Sequence, residues 1–300
     1  MRHLTEALTT RRRRCLRATT LSALLLIALL PIVTGAQRGE PPPPPPPART
    51  IAPIDLTGYW VSVVTEDWRY RMLTPPKGDY ASVPLNAAAR RMADAWDPAK
   101  DETSGDACKS YGVGNIMRVP GRVHITWQDD DTLKVETDAG TQTRLLHFGD
   151  AAQALAGDAG WQGYSVARWE LAGPQRRGGA GPRANAPGPD AAAGQSRPGP
   201  EVPDGRGRGR GTSTARGGSL KVVTTHMKAG YLRKNGVPYS ENAVITEYLD
   251  RHTEPNGDQW FTVTTIVDDP KYLAEPFITS SHFKKEANSD KWRPSPCTAS

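Results

Sequence analysis

The sequence lacks the short motifs by which most catalytic and nucleotide-binding sites are recognised. It contains no Gly-x-Ser-x-Gly nucleophile turn, no phosphate-binding loop, no His-Glu-x-x-His zinc motif and no dinucleotide fingerprint. These absences exclude the common hydrolase, kinase and dehydrogenase signatures. An enzyme on this chain would have to use an isolated carboxylate or histidine as its acid or base.

The sequence also lacks an apolar run long enough to cross a membrane as a helix. The longest run, residues 21–33, is shorter than the roughly 20 residues that a spanning helix needs. Basic residues 11–14 and Arg17 precede this run, and Thr34-Gly35-Ala36 follows it, which is the order of a secretory signal peptide. We therefore expect residues 1–36 to be a signal peptide cleaved after Ala36, with retention as an N-terminal anchor as the alternative. Cleavage would leave no transmembrane segment in a periplasmic or secreted bacterial protein.

Cysteine is scarce, with three residues in the chain, and only Cys108 and Cys297 follow the predicted signal peptide. No Cys-x-x-Cys spacing supports a metal site, and no motif around either residue indicates a catalytic thiol. In an oxidising compartment such an isolated pair favours a disulfide. We therefore predict that Cys108 and Cys297 are bonded.

Charge is unevenly distributed along the chain. Residues 1–36 carry a net of five positive charges, so their removal lowers the net charge from +6 to +1. Residues 41–47 are all proline and predict a stiff polyproline spacer over residues 37–50. Residues 173–218 are rich in Gly, Pro, Ala and Arg with few large apolar side chains, so we expect a long disordered insertion there.

The run of alternating Arg and Gly at residues 205–211 resembles segments that track nucleic-acid phosphates. For an exported protein we expect no nucleic-acid partner and at most a weak contact of this segment with anionic surfaces such as lipid or polysaccharide.

The remaining sequence is typical of a mainly β chain. Residues 122–128 alternate apolar and polar side chains, and the turns Asp129-Asp130-Asp131 and Asp138-Ala139-Gly140 lead to two further strands. Nine short strands in sequence-adjacent order predict a single antiparallel up-and-down barrel domain over residues 51–300, interrupted by the insertion. The predicted strands cover residues 55–65, 122–128, 132–137, 141–148, 161–171, 219–227, 243–253, 259–268 and 277–285.

One short helix is predicted between the first two strands. Asn86 is a suitable N-cap for a helix over residues 87–96, which ends before Pro98. The rest of residues 68–121 is loop-like. We expect this excursion to cover the mouth of the barrel, where long connections tend to be functional.

The start of the first strand carries a family resemblance. Asp55-Leu56-Thr57-Gly58-Tyr59-Trp60 resembles the Gly-x-Trp opening of lipocalins and other calycins. The resemblance implies that Gly58 turns the chain into the first strand and that Trp60 closes one end of the barrel. It also calls for a basic residue on the last strand to stack over Trp60, for which Lys284, Lys285 and Arg293 are the candidates.

A wider resemblance, to uncharacterised lipocalin-like proteins exported by bacteria, covers most of residues 55–285. It implies a lipocalin-like barrel in an exported protein and no particular activity. The residues that carry it are Cys108, Met117-x-x-Pro120, Gly236-x-Pro238-x-Ser240 leading to Glu247, and Asp269-Pro270 leading to Pro276-Phe277.

Arg144 and Glu247 are the strongest candidates for a functional site, because both stand in mid-strand among apolar neighbours. If both point inward, each requires the other or a ligand, since an unpaired buried charge is costly. His226, Trp169 and Tyr248 are the other predicted ligand-binding residues. The five histidines after the signal could converge on a metal together with Glu247, but the alternative that they face water is stronger, and we expect no metal or cofactor.

Three functions remain open from the sequence. The first is a barrel that binds a small, partly apolar molecule beneath the excursion. The second is a hydrolase or isomerase that uses Glu247 or a histidine as acid or base. The third is a structural or cell-surface module without a pocket. An open cavity favours the first two functions, and an interior filled by side chains favours the third.

Overall fold

The central feature of the computed structural model, which describes residues 44–149, 159–171 and 217–299, is a closed barrel of nine β-strands. The strands in chain order are β1 Gly58–Val63, β2 Arg122–Asp129, β3 Thr132–Thr137, β4 Thr143–Phe148, β5 Tyr164–Leu171, β6 Gly218–Thr225, β7 Gly230–Arg233, β8 Val237–Tyr239, β9 Val244–Thr253, β10 Gln259–Asp268 and β11 Phe277–Glu286. Strands β7 and β8 form a separate hairpin, and the other nine close the barrel in the order β1-β11-β10-β9-β6-β5-β4-β3-β2. The prediction of a mainly β fold with a nine-stranded barrel is confirmed.

Some predicted segments lie wholly or largely outside the described residues. These are the signal peptide over residues 1–36, the first part of the proline spacer, and the insertion up to residue 216. Gly217 and Gly218 are described, and Gly218 is the first residue of β6. The barrel belongs to the unit formed by residues 45–300.

The prediction of a purely antiparallel up-and-down topology is wrong at one strand pair. Strands β4 and β5 are parallel, with Leu146 opposite Ser165 and Phe148 opposite Ala167. For two consecutive strands to be parallel neighbours, the chain must return to the end of the sheet at which the earlier strand began. A tight hairpin cannot make this return. The connection from Gly149 to Gly163 is long enough for this return, so β5 enters the barrel in the direction of β4.

The tight turns of the barrel lie where the sequence predicts them. The acidic turn after β2 leads directly into β3, and Gly140 adopts a left-handed conformation between β3 and β4. Gly257 does the same between β9 and β10, which pair without a break from Gln259–Thr253 to Asp268–Val244. Glycine fits these positions because it has no Cβ to clash at positive φ.

The prediction of a single short helix is incomplete. Asn86 caps a helix as expected, its side chain accepting hydrogen bonds from the amides of Ala88 and Ala89. Two further short helices and two 3₁₀ turns lie in the same excursion, where short elements leave no periodic signal in the sequence. The helices are α1 Trp68–Arg71, α2 Ala87–Asp94 and α3 Pro98–Thr103, and the 3₁₀ turns are Ala107–Tyr111 and Ile116–Arg118. None of the helices among the described residues combines the length and the apolar composition needed to span a membrane.

The excursion is packed onto the barrel. Tyr111, Ile116 and Met117 are buried in the same cluster as Ile125 and other inward-facing barrel residues. A second apolar cluster, outside this one, joins α2 to the β7–β8 hairpin. The excursion therefore closes the barrel rather than leaving its mouth open.

Trp60 is fully buried near the start of β1. Its indole Nε1 donates a hydrogen bond to the carbonyl oxygen of Leu56 at 2.9 Å, and its ring meets that of Phe261 edge to face. Lys285, directly opposite Trp60 on β11, places its Nζ 5.2 Å from the centre of the indole ring. Of the three candidate basic residues, Lys285 is therefore the one over Trp60.

Cys108 and Cys297 form a disulfide, as predicted. The bond joins the 3₁₀ turn after α3 to the C-terminal tail. The tail is also held by the β3–β4 turn, where the amide of Ser295 donates to the carbonyl oxygen of Asp138 at 2.8 Å. The backbone amide of Ala299 donates to a carboxylate oxygen of Glu102 at 2.7 Å.

Candidate functional site

Arg144 and Glu247 form a bidentate ion pair inside the barrel. Nη2 of Arg144 donates to Oε2 of Glu247 at 2.6 Å, and Nη1 donates to Oε1 at 3.2 Å. The side chains of Arg144 and Glu247 are only 4% and 2% exposed. In this geometry each charged group is stabilised by hydrogen bonds to the other, because water has little access to either side chain.

Two hydroxyl groups line the side of this pair. Ser165 of β5 and Thr224 of β6 lie on the strands between β4 and β9, and their hydroxyl oxygens are 2.8 Å apart. Nη2 of Arg144 lies 3.4 Å from the Thr224 hydroxyl and 3.5 Å from that of Ser165. Four consecutive barrel strands thus each contribute one polar side chain to the same interior point.

The space beside the pair is almost filled. A cavity of about 10 Å³ is bordered by Arg144, Glu247 and six apolar side chains, Met117, Ile125, Val135, Leu146, Val222 and Leu249. This volume is close to that needed for one water molecule. Met117, from the 3₁₀ turn Ile116–Arg118, is the only one of these side chains that comes from the excursion.

The other predicted ligand-binding residues are placed away from the pair. Tyr248 follows Glu247 directly, so it points to the opposite face of β9, where the Nζ of Lys221 lies 5.2 Å from its ring centre. Trp169 is four residues beyond Ser165, about 13 Å along β5, and donates from its Nε1 to the carbonyl oxygen of Ala48. His226 lies just past the end of β6 in a left-handed conformation, with φ 52°. The structure therefore brings Arg144 and Glu247 into direct contact, turns Tyr248 to the opposite face of β9 and leaves Trp169 farther along β5.

The histidines occupy separate places on the barrel. His124 stacks on Tyr59, and His147 stacks on Tyr164. His252 lies near Glu254, and His282 lies within 3.5 Å of Glu66. Across residues 44–149, 159–171 and 217–299, no three His, Cys, Asp or Glu side chains are grouped as a metal site requires.

Sequence reasoning missed Ser165, Thr224 and Met117 as neighbours of the ion pair. The first two share the inward face of their strands with Ala167 and Val222, so strand alternation would have indicated them once the barrel was assumed. Met117 gave no such signal, because it lies in an irregular segment. Sequence reasoning also missed Arg71, Arg118 and Arg233, which are buried where the excursion meets β7.

Tyr239 of the β7–β8 hairpin is a fully buried phenol at the edge of this region. Burial raises the pKa of its hydroxyl group. Gly112 allows the close approach of this hydroxyl, because a Cβ at that position would lie 2.2 Å from the Tyr239 oxygen. The phenol therefore fixes the excursion to the hairpin as a neutral, space-filling group.

Comparison with known proteins found no matching family model, no matching curated protein and no matching solved structure.

Proposed function

We propose that this chain is an exported, non-catalytic module whose barrel is a closed scaffold, serving a structural or cell-surface role. The observation that carries the proposal is the filled interior, with a cavity of about 10 Å³. Pockets for small molecules are usually about 300–1,000 Å³. The cavity beside the ion pair has space for about one water molecule and is therefore far smaller than a pocket for a small molecule. Packed side chains occupy the place that a ligand would need.

Export is the second part of the proposal. It is supported by the signal-like order of residues 1–36 and by the Cys108–Cys297 disulfide, a bond typical of oxidising compartments. The lipocalin-like relationship is part of the same proposal. Its support is the closed barrel and the contact of Lys285 with the ring of Trp60, which follows Gly58 by two residues. The resemblance calls for a basic side chain at this place.

A second candidate function, binding of a small, partly apolar ligand, is favoured by one specific observation. Among the described residues, Nε of Arg144 has no hydrogen-bond partner although it is buried. A displaced Met117 would expose this donor to a ligand under the excursion. The enzymatic alternative has less support, because both carboxylate oxygens of Glu247 already accept hydrogen bonds from Arg144.

Titration with the fluorescent apolar probe N-phenyl-1-naphthylamine separates these functions. We expect no saturable one-to-one binding to the wild-type mature chain. The variant Met117→Ala enlarges the cavity at a cost of about 2–5 kcal/mol in stability, and its effect on any binding shows whether the probe enters beside Met117. Saturable binding to the wild-type protein that Met117→Ala strengthens would overturn the closed-scaffold proposal in favour of ligand binding.

Native mass spectrometry of the chain purified from a bacterial periplasm provides an independent readout. The expected mass is that of the unliganded disulfide-bonded chain. A stoichiometric small molecule that co-purifies with the protein would contradict the proposal.

A further inference from the structure

Three arginines are buried where the excursion meets β7. Arg71 of α1, Arg118 at the end of the second 3₁₀ turn and Arg233 at the end of β7 are 5%, 3% and 1% exposed. Arginine remains charged at neutral pH, so this region holds three positive charges out of contact with solvent.

Arg71 has a full set of partners. It forms an ion pair with Glu66, donates from Nη2 to the Ser62 hydroxyl at 3.0 Å, and donates from Nε to the carbonyl oxygen of Arg118 at 2.8 Å. Its role is structural, because it ties α1 to β1 and to the 3₁₀ turn.

Arg118 and Arg233 are only partly satisfied. Nη2 of Arg118 donates to Oδ2 of Asp67 at 3.1 Å, and Nη1 of Arg233 donates to the carbonyl oxygen of Ala81 at 2.7 Å. Within the described part of the chain, Nε and Nη1 of Arg118 and Nε and Nη2 of Arg233 have no partner, although all four atoms are buried. Buried donors without acceptors are rare in folded proteins and each costs about 1–3 kcal/mol.

The charges of this region do not balance. Glu66 pairs with Arg71, and Asp67 pairs with Arg118. Among the described residues, no carboxylate oxygen lies within 4.0 Å of the guanidinium nitrogens of Arg233. Its Cζ instead lies 4.0 Å from the ring centre of Tyr70. Burial and the positive charge of Arg118 both lower the pKa of Arg233. Asp67 and Asp79 act on this pKa in the opposite direction, but their own ion pairs are with Arg118 and Arg69.

We propose that Arg118 and Arg233 form an anion-binding site that takes one oxyanion group, a carboxylate or a phosphate, at their four unpartnered nitrogen atoms. Nε and Nη2 of Arg233 lie on one edge of its guanidinium group and match the oxygen spacing of such groups, and Arg118 adds single donors from Nε and Nη1. An anion bound there provides the acceptors that both side chains lack and neutralises the charge that Arg233 contributes. This inference does not depend on the closed-scaffold proposal, because the site lies where the excursion meets β7 and not in the barrel interior.

Asp67 is an internal competitor for the site. Its carboxylate occupies one nitrogen of Arg118, and its backbone is in the left-handed region with φ 50°. Such a conformation is unfavourable for a residue other than glycine, although aspartate and asparagine tolerate it best. Removing the negative charge of Asp67 should therefore increase the affinity of the arginines for an external anion.

Helix α1 provides the route of access. Arg71 is its only buried residue, whereas Trp68 and the following Met72 are 63% and 57% exposed. Few buried apolar contacts hold the rest of α1 in place, so its exposed residues can move while the hydrogen bonds of Arg71 keep the helix attached. Displacement of α1 would also move Tyr70 away from Arg233.

The test measures thermal stability of the mature, disulfide-bonded chain against inorganic phosphate, sulfate and acetate at constant ionic strength adjusted with chloride. A ligand that binds only the folded state raises the melting temperature in a saturable manner. We expect saturation with phosphate or acetate and none with chloride alone. A preference for phosphate and sulfate identifies a tetrahedral anion, and a preference for acetate identifies a carboxylate.

Three variants give the test its specificity. Asp67→Asn should bind the preferred anion about tenfold more tightly, because it keeps the left-handed residue but removes the competing charge. Arg233→Met should weaken binding by about ten- to hundredfold, the range expected for lost hydrogen bonds between charged groups. Arg168→Gln, at a surface arginine paired with Glu170, is the matched control and should leave the affinity unchanged.

Either of two results overturns the proposal. One is the same response to all anions at equal ionic strength in the wild-type chain. The other is an unchanged affinity in Asp67→Asn, which decides the question even if Arg233→Met does not fold.

Discussion

Arg144 on β4 and Glu247 on β9 meet across the two barrel strands that separate them, β5 and β6. The pair therefore links distant parts of the barrel wall and fixes their relative position. A buried ion pair of this kind is satisfied only as long as both partners are present.

Single substitutions of the pair should be far more damaging than removal of both charges. Arg144→Met or Glu247→Leu alone is expected to lower the free energy of unfolding by about 3–5 kcal/mol, since each leaves the charge of its partner buried and uncompensated. The double variant Arg144→Met/Glu247→Leu should recover most of this loss. Chemical denaturation of the four proteins gives the coupling energy. Additive losses in the double variant would show that the two side chains act independently.

The contact of Lys285 with Trp60 should be measurable at the closed end of the barrel. Lys285→Met is expected to lower the free energy of unfolding by about 0.5–2 kcal/mol, because it removes a cation from the face of a fully buried indole. Lys285→Arg should retain most of the stability.

Lys284→Met is the control for this prediction. Lys284 belongs to the outer face of β11, pairs with Asp258 at 2.7 Å and has its Nζ 5.8 Å from the ring centre of Trp260, so it tests the same types of contact where they are partly exposed and worth less. Equal losses in urea denaturation for Lys284→Met and Lys285→Met would rule out a specific role of the stacking.

The sequence is sufficient to predict the barrel strands because their signals are local. Strand β10 coincides with its predicted bounds, and β2 and β3 are marked by alternation and by an acidic turn. The Arg144–Glu247 pair was predictable for a similar reason, since a charge in the middle of an apolar strand requires a partner. Tyr248, in contrast, is one residue from Glu247, and the alternation of strand side chains alone places it on the other face.

The features that the sequence does not reveal depend on non-local contacts. The parallel pairing of β5 with β4 is decided by how the connecting chain returns, not by the composition of either strand. Strands β7 and β8 have only four and three residues, too few for a period. Arg118 and Arg233 lie in short irregular elements far apart in the chain, so only the folded structure shows that they are buried together.

Two glycines at positive φ should respond differently to alanine. Gly236 has φ +80°, and a Cβ there would lie 2.2 Å from Cγ of Trp96, whereas Gly257 has φ +87° with no atom within 4 Å of its Cβ position. Gly257→Ala should lower the free energy of unfolding by about 1–2 kcal/mol through backbone strain alone. Gly236→Ala should cost about 1–3 kcal/mol more, because its methyl group overpacks the indole. Equal losses in chemical denaturation would contradict the crowding at Trp96.

The connection between β5 and β6 should be replaceable by a two-residue turn. Leu171 and Gly218 are directly opposite each other in an antiparallel pair, which is the geometry of a tight hairpin. Replacing residues 172–217 with Asn-Gly should raise the melting temperature, since each halving of loop length is worth about 0.6 kcal/mol and this change amounts to between four and five halvings, about 2–3 kcal/mol in all. Differential scanning calorimetry of both chains tests this. A large drop in melting temperature would show that the replaced residues stabilise the barrel.

Loss of the disulfide should loosen the tail and the excursion before the barrel unfolds. Cys108 and Cys297 are 189 residues apart in sequence, and closing a loop of this size restricts the unfolded chain by about 5 kcal/mol in the chain-entropy account. Cys297→Ser should therefore reduce stability by up to this amount. Amide hydrogen exchange should rise first at residues 107–110 and 295–299, because the lost bond joins these two segments and neither belongs to an α-helix or a strand of the barrel.

The hydrogen bonds of Ser295 and Ala299 limit how far the tail is released. The amide of Ser295 bonds to Asp138 and that of Ala299 to Glu102, independently of the disulfide. Glu102→Ala in the Cys297→Ser background should therefore increase exchange at the tail further, because it removes the acceptor of the Ala299 amide, whereas Glu102→Ala alone should change it little. Strands β9 and β10 should keep their protection in all three variants. Simultaneous loss of protection in the tail and in these strands would show that the disulfide holds the whole barrel together and not the tail alone.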